Sequence, residues 1–166
     1  LVVSPNSDND TEDKESIWFY KNFGSNHSPS FYFQQNNLLQ DETIDLGRGA
    51  KPIFVDINND NLLDLIVSNF GEFDLNVPVH YSSSISPFIN IGTPLSPMFE
   101  KTSDNFQNIA PTLNRLNLAP AFGDLDYDGD LDAIVGDFDG NLHYFENTSP
   151  NPCLLYTSPS PRDWMV

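Results

Sequence analysis

The chain has 166 residues, enough for one ordinary domain, and a hydrophobic share of 39% with 13% aromatics can build a core. Its 24 acidic and 7 basic residues give a formal charge of −17, which argues against nucleic acid or an anionic membrane as partner and favours a cation-binding, secreted or surface-exposed protein. No apolar run is long enough to span a bilayer and no signal peptide is visible, so membrane insertion by this segment is not expected.

In chain order, the sequence opens on the strand-like Leu1-Val2-Val3 without a methionine, which suggests a truncated start. An acidic insertion, Asn6–Ser16, has the composition of a solvated hairpin loop. Short runs rich in β-branched and aromatic residues, bounded by Gly, Pro, Asn or Asp, predict strands at 16–22, 29–34, 64–69, 132–136 and 141–147. Thr102–Leu116 is the one helix candidate, and it lacks a sustained 3.6-residue apolar period. Asp139-Gly140 predicts a tight type I′ hairpin turn. Residues 153–163, "CLLYTSPSPRD", match codon for codon one reading frame of a transposase sequencing adapter. Residues 153–166 are therefore expected to be foreign to the natural chain, which would leave Cys153 without redox or catalytic meaning.

Two blocks repeat at one offset of 68 residues. Phe54, Asp56, Asn58, Asp60, Asp64 and Ile66-Val67 fall over Phe122, Asp124, Asp126, Asp128, Asp132 and Ile134-Val135. Independently, Asn22, Gly24, Ser28-Pro29 and Phe31 fall over Asn90, Gly92, Ser96-Pro97 and Phe99, and Asn147 opens a third copy. A repeat of this length, built from about four short strands, suits a propeller blade. The predicted fold is all-β: a β-propeller fragment of about two blades of four short antiparallel strands. Its expected parts are a partial blade over 1–47 with the acidic insertion, a blade over 48–116, a partial blade over 117–152, and the foreign segment.

The acidic core of each copy predicts a Ca2+ loop. Calcium takes about 6–8 oxygens, often from aspartates and backbone carbonyls of one tight loop. Asp124, Asp126 and Asp128 alternate with Leu125 and Tyr127, Gly129 marks a sharp turn, and Asp132 can return from the next strand to close the shell. Asp56, Asn58, Asp60 and Asp64 keep oxygen donors at the same four positions. Asn61 replaces Gly129 and tolerates the left-handed region. Leu62 stands opposite Asp130, so this position is expected to offer its backbone carbonyl, not a side chain. With four carboxylates against three, the second loop is expected to bind more tightly. An EF-hand is rejected, because its twelfth loop position falls on Val135 where a bidentate glutamate is required.

These two stretches, "AKPIFVDINNDNLLDLIVSNFG" and "APAFGDLDYDGDLDAIVGDFDGNLHYFEN", resemble the FG-GAP/VCBS repeat family of integrin α-subunit propellers and secreted bacterial surface proteins. The resemblance covers most of 1–152 and lies nearer the bacterial variant. It implies that each repeat is a blade with calcium in a hairpin loop, and it departs from the family at Asn61, where glycine is usual. The implied function is a non-catalytic, calcium-stabilised module of a secreted or cell-surface protein, used for adhesion or ligand binding and flanked by neighbouring blades. A carbohydrate-binding propeller is the alternative, with Trp18, Tyr20 and Tyr144 as stacking rings. Its partner would then be a glycan, not an extracellular protein. His27, His80 and His143 have no Cys, Ser or carboxylate at a recognisable spacing, so no catalytic residue is expected.

Overall fold

A computed structural model describes residues 1–3, 15–40, 43–73, 76, 78 and 80–148. Most of the acidic insertion, the adapter-like segment and Cys153 lie outside the described residues. The described chain is all-β, with several small antiparallel sheets and one short helix. No helix among the described residues is long and apolar enough to cross a membrane.

Two compact units divide the chain, Leu1–Gly47 and Arg48–Val166. The first holds a three-stranded antiparallel sheet of β1 (Val2–Val3), β2 (Trp18–Asn22) and β3 (Phe31–Gln35), in that order. One face carries Val3, Trp18, Tyr20, Phe31 and Phe33, because residues paired across antiparallel strands point to the same side. Phe33 meets Trp18 and Tyr20 edge to face, with ring centroids 6.1 and 5.6 Å away.

The second unit opens with a four-stranded antiparallel sheet, β4 (Lys51–Val55), β5 (Asp64–Ser68), β8 (Ile85–Asn90) and β9 (Phe99–Lys101). Between β5 and β8 the chain makes a separate small hairpin of β6 (Glu72–Phe73) and β7 (Tyr81–Ser82). A 3-10 turn at Phe106–Asn108 and the single-turn helix α1 (Ile109–Leu113) lead to a three-stranded sheet, β10 (Ala119–Gly123), β11 (Asp132–Gly136) and β12 (Leu142–Phe145). The helix is short because it begins and ends on asparagines, Asn108 and Asn114, held in the left-handed region.

The core lies between these two sheets. Ile66 and Ile85 of the four-stranded sheet meet Ala133, Val135 and Phe145 of the three-stranded one, and Phe106, Ile109, Ala110 and Leu118 close the gap. Fully burying one such aliphatic side chain stabilises by about 1.5–3 kcal/mol. Lys51 adds a polar tie, its Nζ donating to Asn117 Oδ1 at 2.8 Å and to the Leu118 carbonyl at 3.3 Å; burial holds its pKa below the usual lysine value.

The 68-residue repeat has a physical counterpart bond by bond. Asn22 Oδ1 accepts from the N–H groups of Gly24 and Ser30, both at 2.9 Å, and Asn90 Oδ1 accepts from Gly92 and Met98, both at 3.1 Å. Phe23 N–H donates to Ser30 O at 2.9 Å, and Ile91 N–H to Met98 O at 2.8 Å. In both copies one asparagine therefore organises the loop between two strands, β2–β3 and β8–β9.

The Asp139-Gly140 turn differs from the expected type I′, which needs positive φ at both central residues. Only Gly140 is left-handed, at φ 84°, while the closing bond runs from Gly140 N–H to Asp137 O at 3.2 Å. The cause is Asp137. Its carboxylate, without accessible surface, takes the N–H groups of Asp139 and Asn141 at 2.9 Å each and thereby sets a longer loop. It also accepts from the Asn141 amide and lies 3.0 Å from His143 Nε2. Burial pushes this carboxyl up, but bonds from His143 and Asn141 outweigh it and hold it well below the ordinary value near 3.8. A depressed carboxylate stabilises above the unfolded-state pKa, and that stability fades as pH falls towards the folded-state value. Asp137→Asn is therefore expected to cost about 2–3 kcal/mol at pH 7. In urea denaturation, the gap from the unmodified chain should narrow as pH drops below about 4.

Candidate metal centre

Each acidic loop joins the first two strands of its sheet, β4–β5 and β10–β11, and each is wound by its own aspartates. Asp56 Oδ2 accepts from Asn61 N–H at 2.8 Å, as Asp124 Oδ2 does from Gly129 at 3.2 Å. Asn58 Oδ1 takes Asp60 N–H at 3.1 Å, as Asp126 Oδ1 takes Asp128 N–H at 3.2 Å. Asp60 Oδ1 takes Leu62 N–H at 2.8 Å, and Asp128 Oδ1 takes Asp130 N–H at 3.1 Å. Three backbone bonds thus recur at the same offset. Asn61 and Gly129 are both left-handed, at φ 67° and 96°, as are Asn59 and Tyr127. A side chain shorter than its neighbours, holding the backbone two residues on, is the property of Asp and Asn that builds such turns.

Asp124, Asp126 and Asp128 come together on the exposed rim, each offering a carboxylate oxygen within 4.8 Å of the others. Oxygens bound to one calcium at 2.3–2.6 Å can stand at most about 5 Å apart, so this spacing suits that ion. Among the described residues no lysine, arginine or histidine forms an ion pair with them. Asp126 is raised from the ordinary carboxylate value by desolvation first; the bond from the Asp128 N–H works against this, and the charges of Asp128, Asp132 and Asp124 add to it.

Asp130 was expected to offer its backbone alone, and the structure adds a side-chain observation. Its Oδ1 has no accessible surface and no protein partner. Its carboxyl is raised to about 6, by burial first and then by Asp128, Asp132 and Asp126. The first loop relieves its crowding differently: Asn58 Nδ2 donates to Asp60 Oδ2 at 2.9 Å, a bond that Asp126 cannot make. Leu62, opposite Asp130, is half-buried and brings no oxygen beyond its carbonyl.

Asp64 and Asp132 stand apart from the rim. Each is the first residue of its strand and has no exposed surface. Asp64 accepts from Ile57 N–H at 3.0 Å and Asn90 N–H at 2.8 Å. Asp132 accepts from Leu125 N–H at 3.0 Å, Asn147 N–H at 2.9 Å and the Tyr144 hydroxyl at 3.2 Å. Tyr144 is accordingly pushed up to about 12, by burial first and then by the Asp132 charge. An ionised carboxylate has about four lone-pair sites, so these two retain room for a further partner on the loop side.

The histidines serve locally. His27 is exposed in the β2–β3 loop, His80 packs edge to face on Phe73, and His143 joins Asp137. Asp137 and Arg115, which reaches Asp139 at 3.3 Å, are the charged residues that motif reading passed over. Comparison of the chain with models of protein families, with characterised proteins and with solved structures finds no match.

Proposed function

We propose that the chain is a non-catalytic, calcium-binding module of the propeller type, belonging to a secreted or cell-surface protein and serving adhesion or ligand binding. The observation that carries this reading is the convergence of Asp124, Asp126 and Asp128 in a loop whose backbone bonds recur around Asp56, Asn58 and Asp60. Calcium would be held by these side chains, with Asp132 and Asp64 as closing ligands and the position of Asp130 and Leu62 offering its carbonyl. The ion supplies positive charge to a crowded rim, and the chain supplies a preformed oxygen cradle tied to two strands. The resemblance to FG-GAP/VCBS repeats and the acidic composition support the extracellular setting.

Calorimetric titration of the chain with calcium is expected to show binding at both loops, tighter at the second. Asp124→Ala together with Asp128→Ala should abolish the tighter event and leave the weaker one. At calcium a hundred times above its dissociation constant, the fold should gain about 2.7 kcal/mol per site. No heat, or heat unchanged in the double variant, would refute the assignment.

A further inference from the structure

The two repeats differ most where β5 ends. In the second copy residues 137–141 alone join β11 to β12, whereas in the first residues 69–84 join β5 to β8 and carry the β6–β7 hairpin. A blade does not need that extra length, since its counterpart closes without it. The hairpin follows the last residue of β5, Ser68, and the acidic loop precedes the first, Asp64. It therefore lies at the other end of the sheet from the metal centre.

Between this hairpin and the segment 105–116 is a pocket of about 180 Å3, whose polar lining is Tyr81, Ser82, Ser83, Asn105, Asn114 and Arg115. Half of that lining is held in place. Tyr81 meets Phe70 and Phe73 edge to face, with ring centroids 5.7 and 5.8 Å away. The Ser83 hydroxyl donates to the Phe70 carbonyl, and Arg115 Nη1 donates to Asp139 Oδ2 at 3.3 Å. The other half is unused: the Ser82 hydroxyl and the amides of Asn105 and Asn114 have no side-chain partner among the described residues. Backbone strain gathers here too. Of the ten left-handed non-glycine residues among the described ones, His80, Gln107, Asn108, Asn114 and Asn117 fall within or beside these two segments. Such residues cost stability and cluster where a site is held ready for a ligand.

The lining selects a neutral occupant. No carboxylate of the described residues lines the pocket, so an amine would find no counter-ion. Its one cation, Arg115, is already balanced by Asp139 and by the buried Asp137, 3.9 Å from its Nε, so an acid would find no unmatched charge. What remains is a set of hydroxyls and amides that both donate and accept, with a guanidinium and an aromatic ring beside them. The volume falls below the roughly 300–1,000 Å3 of sites for drug-sized ligands, which limits the occupant to one small ring.

We propose that this pocket binds a single neutral sugar ring, the end of a glycan, through Ser82, Asn105, Asn114 and Arg115. The assignment names a ligand class for the ligand-binding part of the proposed function and rests on that part. Calcium, at the far end of the sheet, does not touch the sugar.

An array of immobilised glycans ending in glucose, galactose, mannose, fucose or N-acetylglucosamine, with uronate- and sialate-ended glycans beside them, tests this on the 166-residue chain. Neutral-ended glycans should be retained and acid-ended ones should not. Asn105→Ala together with Asn114→Gly removes both amides while leaving the left-handed backbone at 114 unstrained, and should weaken retention by about tenfold. Ser82→Ala, at an exposed hairpin position, should weaken it by a few-fold, about what one neutral hydrogen bond supplies. Retention of no neutral glycan, retention of acid-ended glycans alone, or retention unchanged in the Asn105/Asn114 variant would each overturn the proposal. Calorimetry with calcium reads the acidic loops alone, so either assignment can fail without the other.

Discussion

Asp132→Ala is expected to destabilise the fold by roughly 3–6 kcal/mol, enough to remove most of the stability of a domain of this size. The reason is the number of donors that one carboxylate satisfies. Leu125 N–H, Asn147 N–H and the Tyr144 hydroxyl all end on Asp132, in a place with no exposed surface. Removing the acceptor strands one buried donor, the Asn147 N–H, and two part-buried ones, the Leu125 N–H and the Tyr144 hydroxyl, at about 1–3 kcal/mol for each that stays unpaired. Asp132→Asn should lose less, because one oxygen remains while the new amide faces a donor. Asp126→Ala makes the contrast. Its side chain is on the rim among like charges, so in EDTA its loss should leave stability unchanged or raise it. Urea denaturation followed by far-ultraviolet circular dichroism checks the ranking. The reverse order would mean that Asp132 belongs to the rim and Asp126 to the frame.

That division between rim and frame is hard to see in "DLDYDGDLD", where five identical letters alternate. The signal is the strand that follows. Asp132 opens that strand, where the Leu125 N–H, the Asn147 N–H and the Tyr144 hydroxyl close over its carboxylate, whereas Asp124–Asp128 precede it. The strands Asp64–Ser68 and Asp132–Gly136 were legible for the same reason, as β-branched runs between turn residues. Ile85–Asn90 was not, because Pro87 demotes a run that otherwise suits a strand. The structure accommodates it: the β8–β9 ladder begins only at Phe88, and the Pro87 carbonyl takes Thr102 N–H at 3.1 Å. The β6–β7 hairpin has no counterpart in the other copy, so the repeat could not announce it. Asp137 was hidden by distance, since its meaning depends on Asn141 and His143 across the turn. The Asn-x-Gly block was visible as a repeat, but its cause is geometric and emerges only with the loop closed.

Gly92→Ala is expected to cost at least about 2–3 kcal/mol, and Gly24→Ala a similar amount, because neither loop has room for a methyl group. A Cβ at Gly92 would lie 2.4 Å from Ser96 O and 2.6 Å from Met98 N; at Gly24 it would lie 2.2 Å from Ser28 O and 2.8 Å from Ser30 N. All four obstacles are backbone atoms, so no rotamer change relieves them. The loop must open, and then Asn90 Oδ1 loses the two N–H groups that it holds at 3.1 Å. Gly129 is the control with the opposite constraint. Its φ of 96° disfavours a side chain, yet nothing stands within 4 Å of the added carbon, and Asn61 already occupies the matching place at φ 67°. Gly129→Ala should therefore cost only about 1 kcal/mol. Urea midpoints of the three variants, with amide exchange at Met98 for Gly92→Ala, separate steric exclusion from backbone strain. If Gly92→Ala proved as mild as Gly129→Ala, the asparagine-centred loop would be loose, and its recurrence at 68 residues would have no structural cause.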